Sequence, residues 1–305
     1  MTKTGKLRAW VSLSRPPFHT VGILPYILGA LLAWQMKGTF RWDIWICGTI
    51  GVVLVMLATY YSGEYWDYVE DSLSAGESST PFAGGSQVVQ RGLLPRRAPL
   101  YASLVSLALA AGIGVILQFV FQTGVWTIPL GLVGVVGGFF YSTRPVRWVS
   151  RGVGELWIAF CYGWLPVAAG FYLQVGEIAP VINWLAVPIG FTIFNVVLLN
   201  EFLDFAADSA AGKRNLVVRL GQNRASLLYG FAGVGSWVGM FFSIIQGVPI
   251  SRLWFYLPFL ALSAVLVALV MGGRWKDRAT LSRLCAANLL VNLGTTATYI
   301  LAFLS

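Results

Sequence analysis

The chain reads as an all-α polytopic membrane protein with nine transmembrane helices. Three observations predict this. It is 57% hydrophobic and 11% charged, where a soluble domain carries about 25% charge. Its mean hydropathy is +0.73. Its apolar residues gather in nine runs, each near the ~20 residues needed to cross a hydrocarbon core. The runs are too long and continuous for alternating barrel strands, so helices are the spanning form. The same composition excludes intrinsic disorder.

The first run, 18–36, follows a basic segment with Lys3, Lys6 and Arg8, interrupted by Arg15-Pro16-Pro17. No small-residue cleavage site follows, so this span is expected to stay in the mature protein. The second run, 43–66, ends at a cluster of carboxylates. A long polar loop, about 72–97, leads to runs at 98–121, 124–142, 153–174 and 181–203. A second carboxylate cluster and a second polar loop, about 209–222, come next. Runs at 223–246, 253–271 and 284–304 complete the set. Cys47, Cys161 and Cys285 lie far apart, inside or beside these runs, and read as packed or lipid-buried thiols. His19, the one histidine, opens the first run and reads as an interfacial or packed residue.

Charge sets the orientation. With the N-terminus in the cytoplasm, that side receives Lys3, Lys6, Arg8, Arg15, Arg91, Arg96, Arg97, Arg144, Arg147 and Arg151. It also receives Lys213, Arg214, Arg219, Arg224, Arg274, Lys276, Arg278 and Arg283. The other side holds Lys37, Arg41 and Arg252. This asymmetry follows the positive-inside rule and supports the helix count. No nucleic-acid partner is expected; the partner of the apolar surface is the lipid bilayer.

The pattern Glu-x-x-Asp-x-x-x-Asp occurs twice, as Glu64, Asp67, Asp71 and as Glu201, Asp204, Asp208. Each copy closes a predicted helix on the same membrane side. On one helix this spacing stacks three carboxylates on one face. They repel one another, and the negative end of the helix dipole adds to the burden. A divalent cation turns the repulsion into attraction. Mg2+ takes oxygen ligands together with waters and phosphate oxygens. Two facing clusters could hold two Mg2+ ions with a diphosphate between them, offsetting charge on a departing diphosphate. The metal-ligand candidates are Glu64, Asp67, Asp71, Asn200, Glu201, Asp204 and Asp208. The constant offset between the copies suggests a pseudo-repeat, with motifs at 63–71 and 200–208, inside one domain spanning 1–305.

Cationic side chains near the clusters suit a phosphate. Lys213 and Arg214 follow the second motif closely. Arg144 and Arg147 lie between the fourth and fifth runs, and Arg91 ends the loop after the first motif. Tyr141 could place a phenol near the diphosphate or an acceptor. Asn200, just before the second triplet, offers an amide oxygen; its counterpart is Gly63, which offers none.

Gly63-Glu64-Tyr65-Trp66-Asp67-Tyr68-Val69-Glu70-Asp71 resembles the N-D-x-x-D-x-x-x-D motif of the UbiA superfamily of intramembrane prenyltransferases. Asn200–Asp208 resembles its second motif. The tract Ala211–Gly221 is similar to that of the branch acting on 1,4-dihydroxy-2-naphthoate in menaquinone synthesis. Arg15-Pro16, Gly84-Gly85-Ser86 and Gly152-Val153-Gly154-Glu155 add support. The resemblance spans about 15–225 and implies nine helices around a central cavity. It departs from the family at Gly63, where Asn is usual, and at Glu64 and Glu201, where Asp is common. That leaves Asp67, Asp71, Asp204 and Asp208 as the implied metal core, with Lys213 beside it. The resemblance implies Mg2+-dependent transfer of a polyprenyl group from polyprenyl diphosphate to an aromatic acceptor, 1,4-dihydroxy-2-naphthoate first. Other acceptors in play are 4-hydroxybenzoate, homogentisate, a chlorin, a haem and an ether-lipid precursor. A transporter is the reading from another class; it expects ionisable groups near the bilayer midplane, and here they sit at one edge.

Overall fold

The computed structural model describes residues 3–74, 80–249 and 254–304. Among these residues every regular element is helical. Helix α1 (Lys3–Ser14) precedes the first span, α2 (Thr20–Lys37). Then come α3 (Trp42–Trp66), the short α4 (Tyr68–Ser74) and α5 (Ala98–Val115), which continues through a wider turn at Ile116–Val120. Helices α6 (Thr127–Ser142), α7 (Gly154–Val175) and α8 (Val181–Ala210) follow. The set closes with α9 (Leu216–Leu220), α10 (Gln222–Ile245), α11 (Leu257–Met271) and α12 (Arg278–Phe303).

Eight of the nine predicted runs, as described, are helices long and apolar enough to cross a bilayer. The fourth is a helix of 16 residues, shorter than a full crossing. Two boundaries move substantially. Helix α8 runs past 203 to Ala210, because nothing stops it before Gly212, whose φ is 74°. Helix α12 starts before 284, where Asp277 caps it by accepting from the Thr280 N–H at 2.8 Å. Arg252 and loop residues 75–79 lie outside the described residues.

Small residues set the packing. Helices α2 and α7 run against each other at backbone distance. A Cβ added at Gly29 would collide with the Val167 carbonyl, and one at Gly170 with the Tyr26 carbonyl. Such close approach replaces the hydrophobic drive that lipid cannot supply. A polar seam joins α8, α10 and α12. Asn195 donates to the Tyr229 carbonyl at 3.2 Å, Tyr229 donates to Asn288 at 3.1 Å, and Asn292 donates to Thr192 at 3.0 Å. Each such bond contributes about 0.6 kcal/mol, up to ~1.7.

Lys37 pairs with Glu177 at 2.6 Å at one end of the bundle. Arg15, Arg147 and Lys213 pair with the acidic motifs at the other. Lys37 thus lies at the end of the bundle opposite Arg15, Arg147 and Lys213.

Candidate active site

The first triplet does not share one helix. Helix α3 stops at Trp66, and Asp67 is its C-cap, with φ −90° and ψ 16°. The chain turns there, and Asp71 belongs to α4. This corrects the expectation of three carboxylates on a single helical face. The turn lets each acid meet its own partner. Glu64 is 1% exposed. Its Oε1 accepts from Arg15 at 2.9 Å and from the Ser86 N–H at 2.8 Å; its Oε2 accepts from the Ser86 hydroxyl at 2.8 Å. Both oxygens are thus engaged by protein donors. Asp67 accepts from Ser142 at 2.6 Å and from Arg147 at 3.1 Å. Arg147 also grips buried Glu70. Arg15 and Arg147 each have a left-handed backbone, φ 48° and 46°. That conformation is costly for a non-glycine residue, and it is held at both arginines that bind this motif.

The second triplet lies wholly within α8. Asp204 accepts from the Gly84 N–H at 3.0 Å and the Ser74 hydroxyl at 3.3 Å. The loop after the first motif is therefore tied to the second motif. Asp208 is clamped between two groups: Asn215 donates to Oδ2 at 2.7 Å, and Lys213 lies 3.2 Å from Oδ1. Asn215 also caps α9 by accepting from the Val218 N–H at 2.8 Å. Glu155, at the first turn of α7, accepts from the Leu216 N–H at 2.7 Å and holds this tract in place. The carboxyls of Glu155 and Glu201 face each other.

Both motifs line one cavity of about 240 Å³. Of the candidates from sequence, Glu64, Asp67, Asp71, Tyr141, Asn200, Glu201, Asp204, Asp208 and Lys213 all border it. Arg147 reaches it through Asp67. Arg91, Arg144 and Arg214 are exposed and do not border it. Arg144 and Arg91 lie in loops turned to solvent, and the Arg214 N–H is bonded to Ser150 at 3.2 Å.

The charges are crowded. Burial, then the nearby carboxylates of Glu64 and Asp67, hold the Asp71 carboxyl well above the usual range, against the pull of Arg15 and Lys213. Burial alone would lower Lys213, but Asp208, Asp67 and Asp204 outweigh it and keep the ammonium charged. Burial likewise opposes the charge on Arg147, and Asp67 and Glu70 more than restore it.

The residues fit a hard divalent cation. The donors are oxygens throughout. Asn200 Oδ1 and both Glu201 oxygens are buried without a hydrogen-bond partner. Among the described residues no three acids close into a cage of their own. Mg2+ is commonly held that way, by one or two carboxylates with the remaining positions left to phosphate and water.

Sequence reasoning missed Ser142, Glu70, Ser74, Asn215 and the partner of Glu64, which is Arg15. Glu155 and Gly84–Ser86, like Arg15, Glu70 and Asn215, lie in tracts that resemble the family without a role legible in the sequence. Only the spacing of Asn215, seven residues after Asp208, carried a local signal.

The UbiA prenyltransferase family profile matches residues 23–293. A 1,4-dihydroxy-2-naphthoate octaprenyltransferase of Bacillus subtilis (strain 168) is 25% identical over 253 residues, covering 82% of this chain and 77% of that one. One from Mycobacterium tuberculosis is 28% identical over 220 residues, covering 72% of each. The structure of a UbiA homolog from Archaeoglobus fulgidus matches with a TM-score of 0.67 at 15% identity, covering 97% of this chain and 100% of that one. A UbiA homolog from the same organism bound to DMAPP and Mg2+ matches with a TM-score of 0.64 at 16% identity, covering 95% and 99%.

Proposed function

The chain belongs to the UbiA prenyltransferase family, and from that premise we propose that it transfers a polyprenyl group from its diphosphate to 1,4-dihydroxy-2-naphthoate, with Mg2+. One observation carries the reading. The acidic cavity, with Lys213 in its wall, shares Thr59, Ile158 and Tyr162 with an apolar groove of about 320 Å³. A charged head and a long apolar tail are the two ends of a polyprenyl diphosphate. The naphthoate acceptor is supported by the relatives' activity and by the tract around Lys213.

Asp67, Asp71, Asp204 and Asp208 would hold the metal, with Asn200 and Glu201 within reach. When bound, Mg2+ supplies positive charge against the charge that grows on the leaving diphosphate. Lys213 presents a fixed ammonium to the same phosphates. Asn215 and Glu155 keep it there by fastening its loop. Arg15 and Arg147 hold Glu64 and Asp67 and set the shape of the first motif. The allylic carbon–oxygen bond breaks, and its electron pair leaves with the diphosphate. Tyr60 and Tyr162 line the cavity and can offer ring faces to the allylic cation. The ring carbon that bears the acceptor's carboxylate then forms the new carbon–carbon bond, and the carboxylate leaves as carbon dioxide, its bonding electron pair returning to the ring. The strap Gly84–Gln87, bonded to both motifs, keeps bulk water from the cation.

The cavity is placed on the cytoplasmic side on the strength of the Lys and Arg distribution. The test is mass spectrometry of products from purified protein, one prenyl diphosphate and a panel of acceptors, with Mg2+ or with EDTA. Prenylated naphthoate in the Mg2+ arm alone is the expected result. A product with 4-hydroxybenzoate or homogentisate instead would reassign the acceptor. No prenyl transfer to any acceptor would end the enzymatic reading.

A further inference from the structure

A separate cavity of about 420 Å³ opens at the same end of the bundle as the acidic motifs. It lies between α8, the start of α12 and the loop that leads to Gly84, and Phe82 is a wall of both this cavity and the acidic one. Arg278 and Arg283 line it, and among the described residues no acid does. Arg278 is fixed in the wall: its Nη1 donates to the Leu203 carbonyl at 3.1 Å, one residue before Asp204. The hydroxyl oxygens of Thr80 and Ser282, also in the lining, meet at 3.0 Å. One hydrogen is spent between them, and the hydroxyl that accepts it keeps its own to give. The neighbouring acid, Asp277, accepts from the Thr280 N–H at 2.8 Å and offsets one charge of Arg274, Lys276, Arg278 and Arg283.

The lining on α12 forms one face of that helix, and Ala286 lies about 12 Å farther along it than Arg278, at ~1.5 Å per residue. Helix α12 is long and apolar enough to span a bilayer. The cavity is therefore cationic at the membrane edge and apolar toward the bilayer interior, where Leu203, Phe82 and Ala286 line it. Ala279 and Ala286 are exposed, so it opens on the flank of the bundle.

We infer that this cavity holds the phosphate of an anionic phospholipid from the adjoining leaflet, with Arg278 and Arg283 on the phosphate and an acyl chain along Ala286. Guanidinium groups fork onto phosphate oxygens, and basic pockets between membrane helices are headgroup sites. The lysine and arginine bias assigns this end to the cytoplasm, whose leaflet carries anionic lipid. A free phosphate would satisfy the arginines and leave the apolar wall against water. A zwitterionic head would bring an ammonium that no acid in the lining meets. The inference does not depend on the prenyl-transfer reading.

Detergent-purified protein is mixed with phosphatidylglycerol or phosphatidylcholine of the same acyl chains, and retained lipid is measured by native mass spectrometry. Wild type is expected to retain phosphatidylglycerol in preference to phosphatidylcholine. Arg283→Gln should weaken phosphatidylglycerol binding about fivefold, the worth of one cation near a membrane surface. Arg278→Gln should weaken it at least as much. Arg91→Gln removes a charge outside the cavity and should leave binding unchanged. Arg283→Gln carries the decision if Arg278→Gln, which loses its bond to Leu203, fails to fold. Equal retention of the two lipids, or equal losses in Arg283→Gln and Arg91→Gln, overturns the proposal. Inorganic phosphate is tested alone by melting temperature. A stabilisation that matches phosphatidylglycerol and disappears in Arg283→Gln would make the ligand a free phosphate and overturn the lipid assignment. The readout is bound lipid, so a protein without prenyl transfer would leave the result standing.

Discussion

The two acidic motifs share a spacing and differ in almost everything else. The second is a stretch of continuous helix. Its Asp208 is set by Asn215 and Lys213, and its Glu201 and Asn200 keep oxygens without protein partners. The first is broken at Asp67, and two arginines with left-handed backbones hold its acids. The difference teaches that equal spacing in sequence does not give equal coordination. A helix that continues fixes its carboxylates by its own periodicity. Both motifs take cations and loop donors, Lys213, Asn215 and Gly84 at the second, but the broken helix takes its cations from two arginines in the left-handed conformation.

The largest test of this contrast removes an acid from each side. Asp208→Ala and Asp67→Ala should each lower Mg2+-dependent transfer by at least ~10²-fold while the protein still folds; removing a single preorganised charge partner in other enzymes costs about 10²–10³. Wild-type-like turnover in either variant, measured by product mass spectrometry, would break the two-motif picture. Next comes Lys213→Ala, expected to cost about 10²–10³-fold, mostly in kcat, since its ammonium acts on the departing phosphate.

Arg147 separates a scaffold role from a chemical one. It is half-buried between Asp67 and Glu70, and stripping one partner from a fully buried pair costs about 3–5 kcal/mol, an upper bound here. Arg147→Ala should therefore unfold at clearly lower temperature in detergent, and Arg147→Lys should recover only part, because lysine cannot fork between two acids. An unchanged melting temperature would show that the first motif does not depend on this clamp.

The smallest effect sharpens the comparison most. Asp71 is crowded by Glu64 and Asp67, and its proton leaves only at a pH above the usual range. Mg2+ must displace that proton, so Mg2+ affinity should weaken as pH falls. Asp71→Asn should raise the melting temperature of metal-free protein while removing activity. A lower melting temperature would mean that the first motif is not strained by its own charge.

Much of this was legible in the chain. The helical runs, the lysine and arginine bias and the doubled triplet needed only length, hydropathy and spacing. Those signals are local, so they survive without a structure. The limits show at particular residues. The break at Asp67 was illegible because no glycine or proline marks it. Arg15 is 49 residues from Glu64, and Ser142 is 75 from Asp67; pairings over such distances leave no periodic trace. Arg91, Arg144 and Arg214 looked equivalent to Arg147 by composition, yet only Arg147 turns inward.

Sequence by itself determined that the chain spans a membrane as helices, that two acid clusters share one end, and that Lys213 stands beside the second. Hydrophobic runs and charge bias are one-dimensional quantities, written directly in residue order. Tertiary structure alone decided which carboxylates are engaged by protein donors and which keep free oxygens, and that the acidic cavity shares Thr59, Ile158 and Tyr162 with an apolar groove. Those depend on helices far apart in sequence meeting side by side, and only packing in three dimensions fixes which faces meet.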